Sequence, residues 1–508
     1  MRFFLLLAIW CATLPSLAQD TITIKDLQHA SHIFGMTFTP AELDSLHDDA
    51  LDQLRDYQRN RELPLDNSVA PALHFNPHPQ GFVVPTGPSA LNLQQAPVKL
   101  PANMNDLAFY TVSELAHLIQ TRQISSVRLT EFFLQRLRLH DPTLHCVITY
   151  TEERAMRHAR QMDRELAEGK YRGFLHGIPY GIKDLFATED YRTTWGAAPF
   201  KDQVIDMDAT VVTRLEEAGA VLVAKLTLGA LAWGDVWYGE RTRNPWDPER
   251  GSSGSSAGSA SAVAAGLVPF AIGTETLGSI VSPSTVCGTT GLRPTYGRVS
   301  RHGAMALSWS MDKIGPICRS AQDCAIVFDA IRGPDGKDLS VTDAPFNYSS
   351  RADLSGLRIG YVKSHFDRPY AFHDQDSAAL EVMRSMGIDL IEVELPPYPD
   401  IRFLLSAEAA AAFDQLTRSN KDDLMVRQIR NAWPNVFRAA RFIPAVEYIQ
   451  ANRLRSILIE QMDDLFDDVD IIIHPSWRSS ALSITNMTGH PAVVMPNGFR
   501  EGRPTSIT

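Results

Sequence analysis

What this chain lacks narrows its function before any motif is read. It has no basic block: 48 Lys and Arg stand against 59 Asp and Glu, for a net charge of −11. Its acids lie in short clusters such as Asp463, Asp464, Asp467 and Asp468. Nothing here would neutralise a phosphate backbone, so nucleic acid is not an expected partner. Cysteine is scarce. Apart from Cys11 in the N-terminal apolar run, Cys146, Cys287, Cys318 and Cys324 fall at spacings that make neither a disulfide framework nor a metal-ligand pattern. They read as buried, reduced thiols. Beyond the first residues no apolar run approaches about 18 residues, so no second membrane segment is expected. No internal repeat is visible.

What is present begins with MRFFLLLAIWCATLPSLA, where Arg2 precedes an apolar run that ends in small residues at Ser16 and Ala18. This pattern predicts a secretory signal peptide over residues 1–18 and an exported protein, periplasmic or secreted. Residues 19–105 read as an N-terminal helical extension and arm. Thr39 and Pro40 open an amphipathic helix with Leu43, Leu46, Leu51 and Leu54 at helical spacing, and a Pro-rich stretch from Leu63 to Pro101 follows.

From residue 106 to 508 the pattern is that of one large α/β domain. Thr111 and Glu114 form a capping box ahead of a helix. The apolar run Gly177–Leu185 predicts a strand ending near Lys183, DATVVTRLEEAG a helix, and AVLVAKL a buried strand. Apolar segments at 357–362, 388–395, 469–475 and 491–496, with helices between them, continue the alternation. The expected architecture is a mixed central sheet flanked by helices.

The stretch Gly251–Gly297 concentrates small and hydroxylated residues, and four readings of it compete. A flexible linker is one, but the stretch runs directly into an alanine-rich helix and an apolar strand, where linkers separate cores. A nucleophile elbow is another, since Gly254, Ser256 and Gly258 satisfy GxSxG; the preceding NPWDPERG does not supply the central strand that motif needs. His302, His474 and His490 would be its candidate bases. A third pairs Ser310 with Lys313 as SxxK, as in penicillin-recognising enzymes, without the SDN or KTG that accompany it there.

The fourth rests on resemblance. GIPYGIKDL, the run SGSSAGSASAVAAGLVPFAIGTETLGSIVSPSTVCGTTGLRPTYG and the later TGHPAVVMPNG together resemble the amidase signature family, from about Thr111 to the end of the chain. At matching positions the resemblance implies Ser279 as the acyl-accepting nucleophile, Ser255 as a bridging serine on a cis peptide, and Lys183 as the base. The oxyanion hole would be the backbone amides of Thr276, Leu277, Gly278 and Ser279. The implied activity is hydrolysis of a small-molecule or peptide amide to a carboxylate plus ammonia or an amine, with no cofactor or metal. The family's transamidation of tRNA needs cytoplasmic partners, so a signal peptide favours small amides met outside the cytoplasm.

Chemistry makes such a triad sensible. A serine hydroxyl is a poor nucleophile until its proton is taken, and a lysine can take it only when neutral. Burial behind Ile178 and Ile182 would lower the lysine's pKa. The sequence departs from the family's usual residues at Ser253, Ala257, Glu275 and Leu277. Where the chain stops, at Thr508, family members usually continue, so an incomplete sheet edge is expected. A non-catalytic binding protein of the same fold is the alternative these departures leave open.

Overall fold

Eight short segments, most of them buried on both faces, pair into the central sheet. They are β1 (Val147–Tyr150), β2 (Pro179–Lys183), β3 (Val221–Leu226), β4 (Phe270–Glu275), β5 (Thr290–Arg293), β6 (Lys313–Cys318), β7 (Ala492–Arg500) and β8 (Arg503–Ile507). Their order across the sheet is β8-β7-β5-β6-β4-β2-β3-β1. β2 lies parallel to β3 and β4, and the remaining pairings are antiparallel, so the sheet is mixed as expected. The structure is a computed structural model. It describes residues 22–508 except 64, 65, 70–72, 95, 96, 352, 355, 477 and 478; the signal-peptide reading of residues 1–18 lies outside the described residues.

Because successive side chains of a strand point to opposite faces, the sheet divides its core in two. Tyr180, Ile182, Leu222, Phe270 and Ile272 point into one apolar cluster with Leu115, Phe133 and Val327. Val221, Val223, Ala271 and Ile317 point into another, with Ala260 and Val263 of the helix Ala257–Ala264. That helix approaches closely because its residues are small. The Gly258 amide donates to the Thr227 carbonyl at 2.9 Å, and a Cβ on Gly258 would stand 2.5 Å from the Cys146 oxygen and the Thr227 nitrogen.

Three of the strands expected in this sheet form another one. Ile359–Val362 lies parallel between Leu390–Val393 and Ile471–Ile473. These runs are only three or four residues long, and the helix His373–Ser385 contributes Leu380 to the cluster beneath them. The two sheets meet at one seam: Thr508 and His474 exchange backbone hydrogen bonds of 3.0 and 3.1 Å, and Pro475 bridges to Ile507. This seam engages the C-terminal end of β8, the last strand of the sheet order, and Pro504 to Ile507 are buried.

The described residues from 22 up to Asp66 form a separate compact unit. Within it the helices Ile24–Ile33 and Pro40–Asn60 both carry capping boxes, through Thr23 with Asp26 and Thr39 with Glu42. From Asn67 the chain belongs to the larger unit, where Ala90–Asn92 pairs in parallel with Asn347–Ser349. Among the described residues no helix is long and apolar enough to cross a membrane.

The close approach at Gly258 makes a testable demand. Gly258→Ala should lower stability by about 1–3 kcal/mol, the ordinary cost of overpacking, read as a fall in Tm. An unchanged Tm would mean that the helix can retreat from β3.

Candidate functional site

The last residue of β2 is Lys183, and its side chain is fully buried. Its Nζ meets four oxygens: Ser255 Oγ at 2.7 Å, Thr274 Oγ1 at 2.8 Å, Ser256 Oγ at 3.1 Å and the Thr274 carbonyl at 3.4 Å. Ser255 and Ser256 stand between the hairpin strand Asp247–Gly251 and the helix Ala257–Ala264, and Thr274 belongs to β4, the parallel neighbour of β2. The Gly254–Ser255 peptide is cis, as the resemblance implied.

These contacts orient the amine. The Ser256 hydroxyl donates to the Thr274 carbonyl and accepts from the Thr274 amide, both at 3.1 Å. Its proton is thus committed, and towards Lys183 it can only accept. A neutral amine offers two N–H groups and one lone pair. With N–H groups directed at Ser256 Oγ and Thr274, the lone pair is left for the proton of Ser255. Burial lowers the pKa of Lys183 to about 7, against the opposing pull of Asp312 and Glu275. Near neutral pH a substantial fraction of this lysine can therefore act as a base. Ile178 and Ile182, the apolar residues from which the sequence predicted this effect, are both fully buried.

Ser279 lies on the turn that joins β4 to the helix Val281–Cys287. The Ser256 amide donates to the Ser279 carbonyl at 3.2 Å, which sets the turn beside the Ser255 segment. Among the described residues the Ser279 hydroxyl makes no hydrogen bond, and it is part exposed. Gly278 has φ of +90°, a conformation glycine takes without strain. This lets the chain reverse between Thr276 and Ser279, whose amides are the candidate oxyanion donors.

Two carboxylates, the buried Glu275 and the half-buried Asp312, brace that turn. Glu275 Oε2 accepts from the amides of Ile280 at 2.8 Å and Val281 at 2.9 Å, while Oε1 accepts from Arg293 Nη1 and Asn486 Nδ2, both at 2.7 Å. Burial alone would push Glu275 up; Arg293 and the amides outweigh it and hold the carboxyl at about 2. Asp312 accepts from Thr276 Oγ1 at 2.6 Å and from the amides of Leu307 and Ser308 at 2.8 and 2.9 Å. Burial raises its pKa in spite of these bonds. The side chain of Leu277 packs against a cluster that includes Met311, Leu404, Met462 and Met487.

Lys183, Ser255 and the Ser279 turn thus come together, and other candidates do not join them. Ser310 Oγ donates to Glu408 Oε1 at 2.6 Å and accepts from Arg455 Nη1 at 2.8 Å, whereas Lys313 Nζ donates to the Met311 carbonyl. The SxxK spacing does not become a catalytic pair. The strand before the GxSxG match, Asp247–Gly251, pairs only with Arg243–Asn244 in a two-stranded ribbon. His474 is buried and His490 half-buried, and desolvation drives both down to about 4. Cys146, Cys287, Cys318 and Cys324 are all buried and free. Sequence reasoning passed over Thr274 and Asp312, and gave Ser256 only its place in GxSxG. It also missed Lys225, which lies fully buried 3.0 Å from Asp184.

Known proteins share both this sequence pattern and this fold. Residues 128–498 match the family model described as Amidase. The chain is 33% identical over 444 residues to the A subunit of Glutamyl-tRNA(Gln) amidotransferase from Coxiella burnetii, an alignment covering 78% of this chain and 92% of the relative. It is 34% identical over 454 residues to the relative of the same name from Roseiflexus castenholzii, covering 80% and 92%. The solved structure of native peptide amidase from Stenotrophomonas maltophilia superposes with a TM-score of 0.71 at 30% identity, covering 78% of this chain and 92% of that one.

The Glu275 brace predicts an acid-sensitive component of stability. A carboxyl held at about 2 against an ordinary 4.5 stabilises the fold above pH 4.5 and loses that effect as the pH falls towards 2. Glu275→Gln leaves Arg293 unpaired and should cost about 3–5 kcal/mol at pH 7. Denaturant unfolding at pH 7 and pH 3 should show the gap between wild type and variant shrinking in acid. An equal gap at both values would remove Glu275 from this role.

Proposed function

The chain belongs to the Amidase family, and on that footing we propose that it is an exported amidohydrolase that works through an acyl-enzyme on Ser279. The observation that carries the reading is a fully buried lysine, with its pKa near neutrality, 2.7 Å from a serine hydroxyl. In the proposed cycle Ser279 Oγ attacks the amide carbonyl as its proton passes to Ser255 and the Ser255 proton passes to Lys183 Nζ. The amides of the Thr276–Ser279 turn hold the oxyanion; each such donor is typically worth about 3–4 kcal/mol to the transition state. The protonated lysine returns its proton through Ser255 to the departing nitrogen, so the C–N bond breaks as ammonia or an amine leaves. Water then attacks the ester by the same relay, giving the carboxylate and restoring the serine.

The substrate we propose is a small or peptide amide. Likeness to a peptide amidase supports this, and so does the leader-like sequence of residues 1–18, which favours substrates outside the cytoplasm over the tRNA-linked role named for the amidotransferase relatives.

Released ammonia from a panel of amides is the direct assay. Ser279→Ala should abolish turnover with the Tm unchanged, and surviving turnover would remove Ser279 as the nucleophile. Labelling by a fluorophosphonate should occur on Ser279 and vanish in Lys183→Ala. Since the neutral amine is the working form, kcat/KM should rise with pH through about 7. A rate that falls as pH rises through that range would refute the lysine base.

A further inference from the structure

Arg427 differs from the other arginines described. Among the described residues it is the only arginine shielded from full exposure that makes neither a hydrogen bond nor an ion pair. The acids near it in sequence are already engaged: Asp422 and Asp423 with Arg438, and Asp414 with Arg418 and Arg441. Asp235, beside Gly234, is held by Arg241 and by the Ser253 amide at 3.2 Å. A part-buried guanidinium with no counter-charge keeps five donors in a planar fork unused.

Its position bears on the candidate site. Arg427 Nη1 lies 3.4 Å from where a Cβ on Gly234 would stand. The carbonyl of Gly234 in turn packs directly on Gly254, where any Cβ would collide with it. Gly254 is the residue before Ser255. One glycine therefore separates the guanidinium from the turn that carries the bridging serine. The arrangement is held from both sides. Trp433 Nε1 donates to the Leu231 carbonyl at 2.8 Å, and the ring of Trp433 packs edge-on against Trp233 at 4.5 Å. This ties the segment bearing Arg427 to the loop bearing Gly234. Leu231 and Ala232 take positive φ of 50° and 62° to make that loop.

We propose that Arg427 recognises a carboxylate on the amide substrate, an inference that rests on the amidohydrolase reading above. A carboxylate matches the guanidinium fork with two parallel charge-assisted hydrogen bonds. Partial burial strengthens that attraction relative to water. The preferred substrates are amides that carry a free acid some bonds away from the carbonyl that Ser279 attacks, and Arg427 sets that preference without taking part in bond making or breaking.

The test uses matched amides with and without a carboxylate: dipeptide amides differing by Glu or Gln, and succinamate beside butanamide. Arg427→Met should raise KM for the acidic member of each pair by about ten- to a hundredfold, the range expected for losing a charge-assisted contact. kcat and the KM of the neutral member should stay as in wild type. Arg427→Lys, which keeps the charge and loses the fork, should raise the acidic KM by less. Tm should be unchanged in both variants, since no protein partner is lost. Equal KM for both members in wild type, or equal effects of substitution on both, would overturn the role of Arg427 while leaving the hydrolase reading intact. Turnover of no amide by wild type would overturn the hydrolase reading itself.

Discussion

The site depends on an amine kept out of water without a carboxylate beside it. Lys183 and Lys225 lie on adjacent strands, both fully buried, yet their surroundings differ. Lys225 sits 3.0 Å from Asp184 and also donates to the Arg192 carbonyl and the Thr193 hydroxyl. Burial lowers its pKa, and Asp184 opposes that. Lys183 meets only hydroxyls and a carbonyl at hydrogen-bonding distance. The carboxylates that act on it, Asp312 and Glu275, make no hydrogen bond to it, and their effect falls short of the cost of desolvation. An acid in direct contact would favour the ammonium and silence the base.

Those two carboxylates have work of their own. Glu275 is fully buried and Asp312 half-buried, and each is spent on the segment between β4 and the helix after it. Glu275 ties the end of the strand to the first amides of that helix, and Asp312 ties Thr276 to the chain at Leu307 and Ser308. Donor groups aimed at a developing charge are effective to the extent that they need not reorganise. Here the turn is fixed from both ends. The length of Glu275 lets one oxygen reach two amides while the other meets Arg293 and Asn486.

Much of this was legible in the chain. The helix start at Thr39 and Pro40, the capping box at Thr111, the buried strand through Ile182 to Lys183 and the small-residue helix at Ala257 follow from local chemistry, which sequence records directly. The family was legible too, from the spacing of serines and glycines around Ser255 and Ser279. What was not legible depends on distant contacts. Asn486 reaches Glu275 from 211 positions away, and nothing near either residue signals the meeting. Short apolar runs such as Ile359–Val362 reveal a strand but not the sheet it joins. Nothing in the sequence marked Thr274, because its role lies in what stands across from it on β2.

Lys183 and Ser255 reside on the sheet and on the segment packed against it, where even a single methyl group at Gly258 finds no room. The apolar packing of the Ser279 turn comes from elsewhere: Leu277 packs against a cluster that includes Leu404 and Met462, on helices Phe403–Ala412 and Ala445–Phe466. Proton transfer and the packing of the turn are thus entrusted to separate stretches of polypeptide. Mutations can accumulate in the second and redirect what is accepted, while the first stays frozen.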